Sequence, residues 1–211
     1  MRLSSDAERI LHGKRCRIIK DGRWRFIHRE LRKPNTSMKT TQIIFASIFS
    51  FSCLAGAESG NPADQTPVQL KQDIEKKHPS AYYMLAAKLF KNPTTKREAV
   101  FWFYAGQLRY RYHLAANPDL PRDGDPALFA SFSEVIGRPI NEYAGGVPDI
   151  WIAEITHALE WDAAHDNGFT PKTKSPEQYR QIRAGLVAMR DQLSAMKDKL
   201  PEMRRKNGLQ N

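Results

Sequence analysis

Glu154, His157, Trp161 and His165 follow one another at spacings of three, four and four, which puts them on one stripe of a helix. Glu154-x-x-His157 is the spacing by which di-iron helix bundles supply a carboxylate and an imidazole, and a second pair, Glu75-x-x-His78, stands upstream. A metal-assisted enzyme would therefore work on Glu154, His157 and His165. The same stripe also suits a polar outer face or a partner contact built on Trp161. Ile152, Ile155, Leu159 and Ala163 mark the opposite side as the one turned to the core, and His78 stands at a helix end, directly before Pro79.

A second group is Arg109-Tyr110-Arg111-Tyr112-His113. Two arginines with interleaved tyrosines are suited to gripping an anionic partner by paired hydrogen bonds and stacking. Cations at a helix C-terminus are also favoured by the helix dipole alone. Asp119, Asp123 and Asp125 invite a calcium reading, but Pro121 breaks the alternating oxygen spacing of a calcium loop. Asp125 is expected instead to cap a helix with Pro126 in its first turn. The chain has no Gly-x-Ser-x-Gly elbow, no phosphate-cradling glycine loop and no His-Glu-x-x-His. No cofactor is indicated.

The elements that must position these residues are helical. Val68 to Lys77 reads as a short amphipathic helix with Val68, Leu70 and Ile74 as apolar points, ended by His78-Pro79. Ser80 to Phe90 follows, broken by Asn92-Pro93. Thr95-x-x-Glu98 is a capping box opening a long helix to about Ala116. Its segment Ala99 to Gly106 is apolar on every side, the mark of a buried helix. A helix from Asp125 to about Ile136 is expected to break at Gly137-Arg138-Pro139, and a short one then runs to Tyr143. Asp149 caps the helix from Ile150 to His165. Ser175-Pro176-Glu177-Gln178 opens the last helix, where Tyr179, Ile182, Leu186, Met189, Leu193, Met196 and Leu200 form an apolar seam at a/d spacing. That seam predicts docking along the bundle, with a homodimer through residues 176–200 as the alternative. Pro201 kinks or ends the helix, and the basic tail through Asn211 is expected to fray. No strand-like alternation or hairpin turn appears anywhere in the chain. The expected fold is all-α, a compact bundle of about six or seven helices in one domain, 68–211.

Ala81-x-x-x-Leu85-Ala86-x-x-Leu89-Phe90, a turn, then Glu98-Ala99-x-x-Trp102-Phe103-x-x-Gly106 resembles one tetratricopeptide or Sel1-type helical hairpin. The resemblance covers about 30 residues and shows no second copy, whereas stacked repeats need about three units. It implies a close helix crossing at small residues and a surface that binds another protein.

Upstream, Met38-Lys39, a polar Thr-Thr-Gln, an apolar run from Ile43 to Leu54 and then Ala55-Gly56-Ala57 have the three parts of a secretory signal peptide. Ala55 and Ala57 flank the expected cleavage point. The run is too short for a permanent membrane anchor, which needs roughly 20 residues. Residues 1–37 carry 11 Lys+Arg against 4 Asp+Glu; they read as untranslated sequence before a start at Met38, or as a disordered basic leader. Residues 58–67 read as a flexible leader. From Glu58 onward, 21 Lys+Arg face 19 Asp+Glu, so the formal charge of +10 belongs mostly to the first 37 residues and no nucleic-acid partner is expected. Cys16 and Cys53 both precede the cleavage point, which leaves a mature chain without thiol or disulfide chemistry. The expectation is a periplasmic or secreted bacterial protein, Gram-negative in type, that binds another protein. An inhibitor of the immunity type, covering an envelope-acting toxin, is one version of it. A structural envelope protein without a catalytic site is a further alternative.

Overall fold

Thr66 opens the helical body by closing a reciprocal cap with Gln69: its hydroxyl accepts the Gln69 N–H at 3.3 Å while Gln69 Oε1 accepts the Thr66 N–H at 2.8 Å. The computed structural model describes residues 64–209 and, upstream, two short strands, Arg15–Ile18 (β1) and Trp24–Ile27 (β2). The strands pair antiparallel, Arg15 opposite Ile27 and Ile18 opposite Trp24, which corrects the expectation that no strand occurs in the chain. The signal segment and the cleavage point at Ala55 and Ala57 lie outside the described residues. Residues 64–209 are all-α.

The first predicted helix is shorter than its pattern. Helix α1 (Pro67–Lys71) ends where Asp73 takes the left-handed conformation, φ 48°, and a 3₁₀ turn, Ile74–Lys76, follows. Leu70 and Ile74 reach the core, but Val68 is 79% exposed; it stands two residues before Leu70 in the same helix and so points to the opposite side. Helices α2 (Ser80–Phe90) and α3 (Lys96–Ala116) hold the predicted bounds. Thr95 does not cap α3: its hydroxyl donates to the Leu89 carbonyl at 2.5 Å, and Glu98 instead accepts the Trp102 indole N–H at 3.0 Å.

Every residue of α3 from Ala99 to His113 is buried. The helix is the axis of the domain, and α2, α6 (Pro148–Ala164) and α7 (Pro176–Met196) pack on it. At the α2–α3 crossing, a Cβ on Gly106 would stand 2.5 Å from the Tyr82 Cβ. The close small-residue crossing expected from the hairpin pattern is present. Tyr104 ties α3 further: its hydroxyl accepts the Trp151 indole N–H at 2.7 Å and donates to Asn141 Oδ1 at 2.8 Å.

Helix α4 (Asp125–Phe132) does not break at Gly137-Arg138-Pro139. It runs through a π-helical turn, Ser133–Gly137, into α5 (Arg138–Gly146). The wider turn removes the need for the N–H that Pro139 lacks. The seam of α7 is used within the chain, with Ile182, Leu186, Leu193 and Met196 buried against the bundle. The tail expected to fray instead forms α8 (Leu200–Lys206). Leu200 and Arg204 are buried, and Arg204 Nη1 donates to the Glu142 carbonyl at 2.8 Å near the end of α5. A cation at a helix C-terminus is favourably placed.

Candidate functional site

The arginine–tyrosine run does not reach the surface. Arg109, Tyr110, Arg111 and Tyr112 are all buried, because α3 stays enclosed through His113. Arg109 is 1% exposed and its donors are spent internally. Nε donates to Asp162 Oδ1 at 3.1 Å, Nη1 to the Tyr82 hydroxyl at 2.7 Å, and Nη2 to the carbonyls of Asp166 at 2.9 Å and His165 at 3.2 Å. Its guanidinium lies over the Trp161 ring, 4.6 Å from the centroid. Asp162 also accepts the Tyr179 hydroxyl at 2.6 Å. Arg109 therefore joins α2, α3, the end of α6 and α7. Tyr112 donates to the Pro171 carbonyl at 2.7 Å, and the Arg111 guanidinium lies 5.3 Å from the Phe129 ring centroid. The expected grip on an anionic partner becomes an internal staple.

The Glu154, His157 and His165 ligand atoms do not converge either. Glu154 turns inward, buried, with Arg97 on one oxygen and His157 Nδ1 at 3.4 Å from the other. The His157 ring stacks on Phe101, centroids 4.2 Å apart. His165 stacks on the half-buried Trp161 at 4.4 Å, and its Nδ1 bonds the Trp161 carbonyl at 2.8 Å. Helix α6 sits rotated from its expected setting: Trp151, Glu154, Ile155, Ala158, Leu159 and Asp162 face in, while Ala163 is exposed. A buried ion pair at Asp162 outweighs the apolar count that assigned the face.

The titratable groups that do meet are His78, His113 and Asp125, brought from the turn before α2, the end of α3 and the start of α4. Asp125 Oδ1 lies 3.2 Å from His78 Nε2, and Oδ2 lies 3.0 Å from His113 Nε2. Tyr110 adds its hydroxyl to Oδ1 at 3.1 Å. Asp125, expected to cap α4, is drawn away because three donors outbid the cap. On the far side of each ring stands a hydroxyl, Ser80 Oγ at 2.8 Å from His78 Nδ1 and Thr170 Oγ1 at 2.8 Å from His113 Nδ1. Phe169, 39% exposed, covers both rings edge-on or tilted, at 4.8 and 5.1 Å. Burial pushes the His113 pKa below its ordinary value against the pull of Asp125. Burial alone would raise Asp125, but the His113 bond, the charge of His78 and the His78 and Tyr110 bonds hold it below the usual carboxylate range.

Ser80–His78–Asp125 is a hydroxyl–imidazole–carboxylate relay, which raises acyl transfer. That chemistry needs donors aimed at a developing oxyanion. The first amides of α2 are already committed, Ser80 N–H to His78 Nδ1 at 3.1 Å, Ala81 N–H to the His78 carbonyl at 2.9 Å and Tyr82 N–H to the Pro79 carbonyl at 3.2 Å. The relay is a polar clasp that fixes the start of α4.

Beyond that clasp, α4 buries none of its residues fully. Phe129 and Phe132 turn partly inward onto Tyr83, at 6.3 and 5.5 Å between centroids. The outward side carries Ala127, Leu128, Ala130, Ser131 and Val135, with Leu128 39% and Val135 68% exposed. No charged residue occurs from Pro126 to Ser133. Sequence reading passed over this surface, although the uncharged run was visible in it. No family model, curated protein or solved structure matches the chain. Among the described residues no helix is long and apolar enough to cross a membrane.

Proposed function

We propose that this is an exported, periplasmic helical protein that acts by binding another protein, and that the outer face of α4 and the following π turn is its contact surface. The observation that carries the reading is the charge-free run over residues 126–133, with Leu128 and Ser131 exposed, continued past the Glu134–Arg138 ion pair by the exposed Val135. A solvent-facing helix ordinarily carries charge on its outer side. Depletion of charge with exposed apolar side chains is the composition of an interface core. The small side chains Ala127, Ala130 and Ser131 allow close approach of a partner backbone, so the occupant is an apolar segment of a partner protein. The clasp at Asp125 holds one end of this face and α5 holds the other, so the surface is presented without prior ordering, which lowers the cost of association. A surface of this kind suits an inhibitor that covers its target, the immunity-type role, better than an enzyme that processes a substrate.

Val135→Asp and Leu128→Asp should each leave the helical circular dichroism and melting temperature nearly unchanged, since both side chains already face water. Both should abolish recovery of the specific partner that copurifies with the tagged full chain from the cell envelope. Val68→Asp, at an even more exposed apolar position on α1, should leave recovery intact. Equal recovery with all three variants would remove α4 as the contact surface.

A further inference from the structure

The His78–His113–Asp125 cluster has the geometry of a metal-ion site. We propose that these three side chains bind a divalent transition-metal ion of the zinc class through His78 Nε2, His113 Nε2 and one Asp125 carboxylate, with a fourth position open to water. The three ligand atoms lie within 4.8 Å of one another. A tetrahedral ion with bonds of about 2.0–2.1 Å requires ligand atoms roughly 3.3 Å apart. The two nitrogen-to-carboxylate separations, 3.2 Å to Oδ1 from His78 and 3.0 Å to Oδ2 from His113, are close to that length but run to different oxygens, so loading needs both rings to turn toward one ion held between them.

The surroundings supply the second requirement. A histidine that ligates through one ring nitrogen donates the proton on the other to an oxygen, which fixes its orientation. Ser80 Oγ and Thr170 Oγ1 stand at hydrogen-bond distance from the two Nδ1 atoms. In the structure Ser80 N–H donates to His78 Nδ1, so the His78 proton sits on Nε2, facing Asp125. The Asn117 side-chain amide stands 3.2 Å from His113 Nδ1, which likewise places the His113 proton on Nε2. Loading moves each ring's proton from Nε2 to Nδ1, where the two hydroxyl oxygens accept it, and the Ser80 and Asn117 amides give up their bonds to the rings. No proton is lost in the exchange. Two imidazoles and one carboxylate are a nitrogen-rich set that selects zinc, cobalt, nickel or copper over magnesium and calcium, which prefer all-oxygen sites. Phe169 and Tyr110 pack against the His78 ring, with Phe169 also on His113, and limit access of water. The site uses no residue of the outer face of α4, although it shares Asp125 with the clasp that holds the start of that helix.

The test is calorimetric titration of Zn²⁺ into the full chain carrying no polyhistidine tag, with Co²⁺ absorption as the second readout. The expected result is one ion per chain and intense visible Co²⁺ bands of four-coordinate geometry. His113→Gln and Asp125→Asn should each weaken Zn²⁺ binding at least about tenfold, the scale of losing a metal-site group. His157→Gln combined with His165→Gln should leave it unchanged. Circular dichroism identifies any variant that fails to fold; in that case His78→Gln, on the rim of the cluster, takes its place. Absence of Zn²⁺ binding at millimolar ion, octahedral Co²⁺ bands, or binding that follows His157 and His165 overturns the proposal.

Discussion

Arg109→Ala is expected to destabilise the protein by about 3–5 kcal/mol, the cost of leaving one member of a buried ion pair uncompensated. Asp162 is 1% exposed at its side chain, and with Arg109 gone it keeps only the Tyr179 hydroxyl at 2.6 Å and a distant Lys172 amine at 3.9 Å. The Asp166 carbonyl and the Tyr82 hydroxyl lose their donor in the same step, while the His165 carbonyl keeps the Lys172 amine at 2.8 Å. In a chain of this size the melting temperature should fall on the order of 10 °C. Removing the charge from both partners separates two contributions. Arg109→Met with Asp162→Leu removes the stranded charge and should recover part of the loss. It should not recover all of it, because the Asp166 carbonyl and the Tyr82 hydroxyl remain without the Arg109 donor. Arg109→Lys should behave nearly as badly as alanine, since one ammonium cannot replace a fork that serves five acceptors. Urea unfolding of the four proteins reads this directly. A loss below about 1 kcal/mol for Arg109→Ala would show that the pair is not the staple described.

Gly106→Ala should destabilise the protein even though alanine is the better helix former. In an exposed helix interior the exchange would stabilise by about 1 kcal/mol. Here the new methyl would stand 2.5 Å from the Tyr82 Cβ and 3.4 Å from the Tyr83 ring. The first of these atoms is fixed to the α2 backbone, so the crossing itself must open. Overpacking of a well-filled core costs typically about 1–3 kcal/mol, which outweighs the propensity gain. Gly106→Val should be worse. Thermal melts decide between the two effects by sign. A higher melting temperature for Gly106→Ala would mean that α2 and α3 do not cross this closely.

The two predictions fall on residues that the sequence treats very differently. Gly106 was legible, because small residues at helical spacing in two adjacent apolar segments announce a close crossing. The bounds of α2 and α3 were legible for the same local reasons, a proline before one and a breaker between them. Arg109 was not. Its role depends on carbonyls and a carboxylate more than fifty residues away, and no periodicity in α3 reports where those will lie. A charged residue in a helix is placed at the surface by default, and only the folded chain shows that it is paid for by burial of its partner. Asp125 failed similarly. Its local signal, an acidic residue before proline at a helix start, is that of a cap, while His78 and His113 arrive from other elements. The break expected at Pro139 was absorbed by a π turn, a local expansion that composition does not announce. The kink at Asp73 and the docking of α8 are likewise tertiary: Arg204 finds the end of α5, and its neighbours in sequence give no hint of that.

The face on α4 is the part of the account that bears on function, and site-specific photocrosslinking in living cells tests it most directly. A benzophenone side chain would be placed at Ser131 of the full chain, and for comparison at Ala184, an exposed position on α7. The account predicts one discrete adduct with a second protein from position 131, weakened when Val135 is also changed to aspartate, and none from position 184. Adducts of equal yield from both positions, or none from position 131 while the protein is folded and abundant, would contradict it.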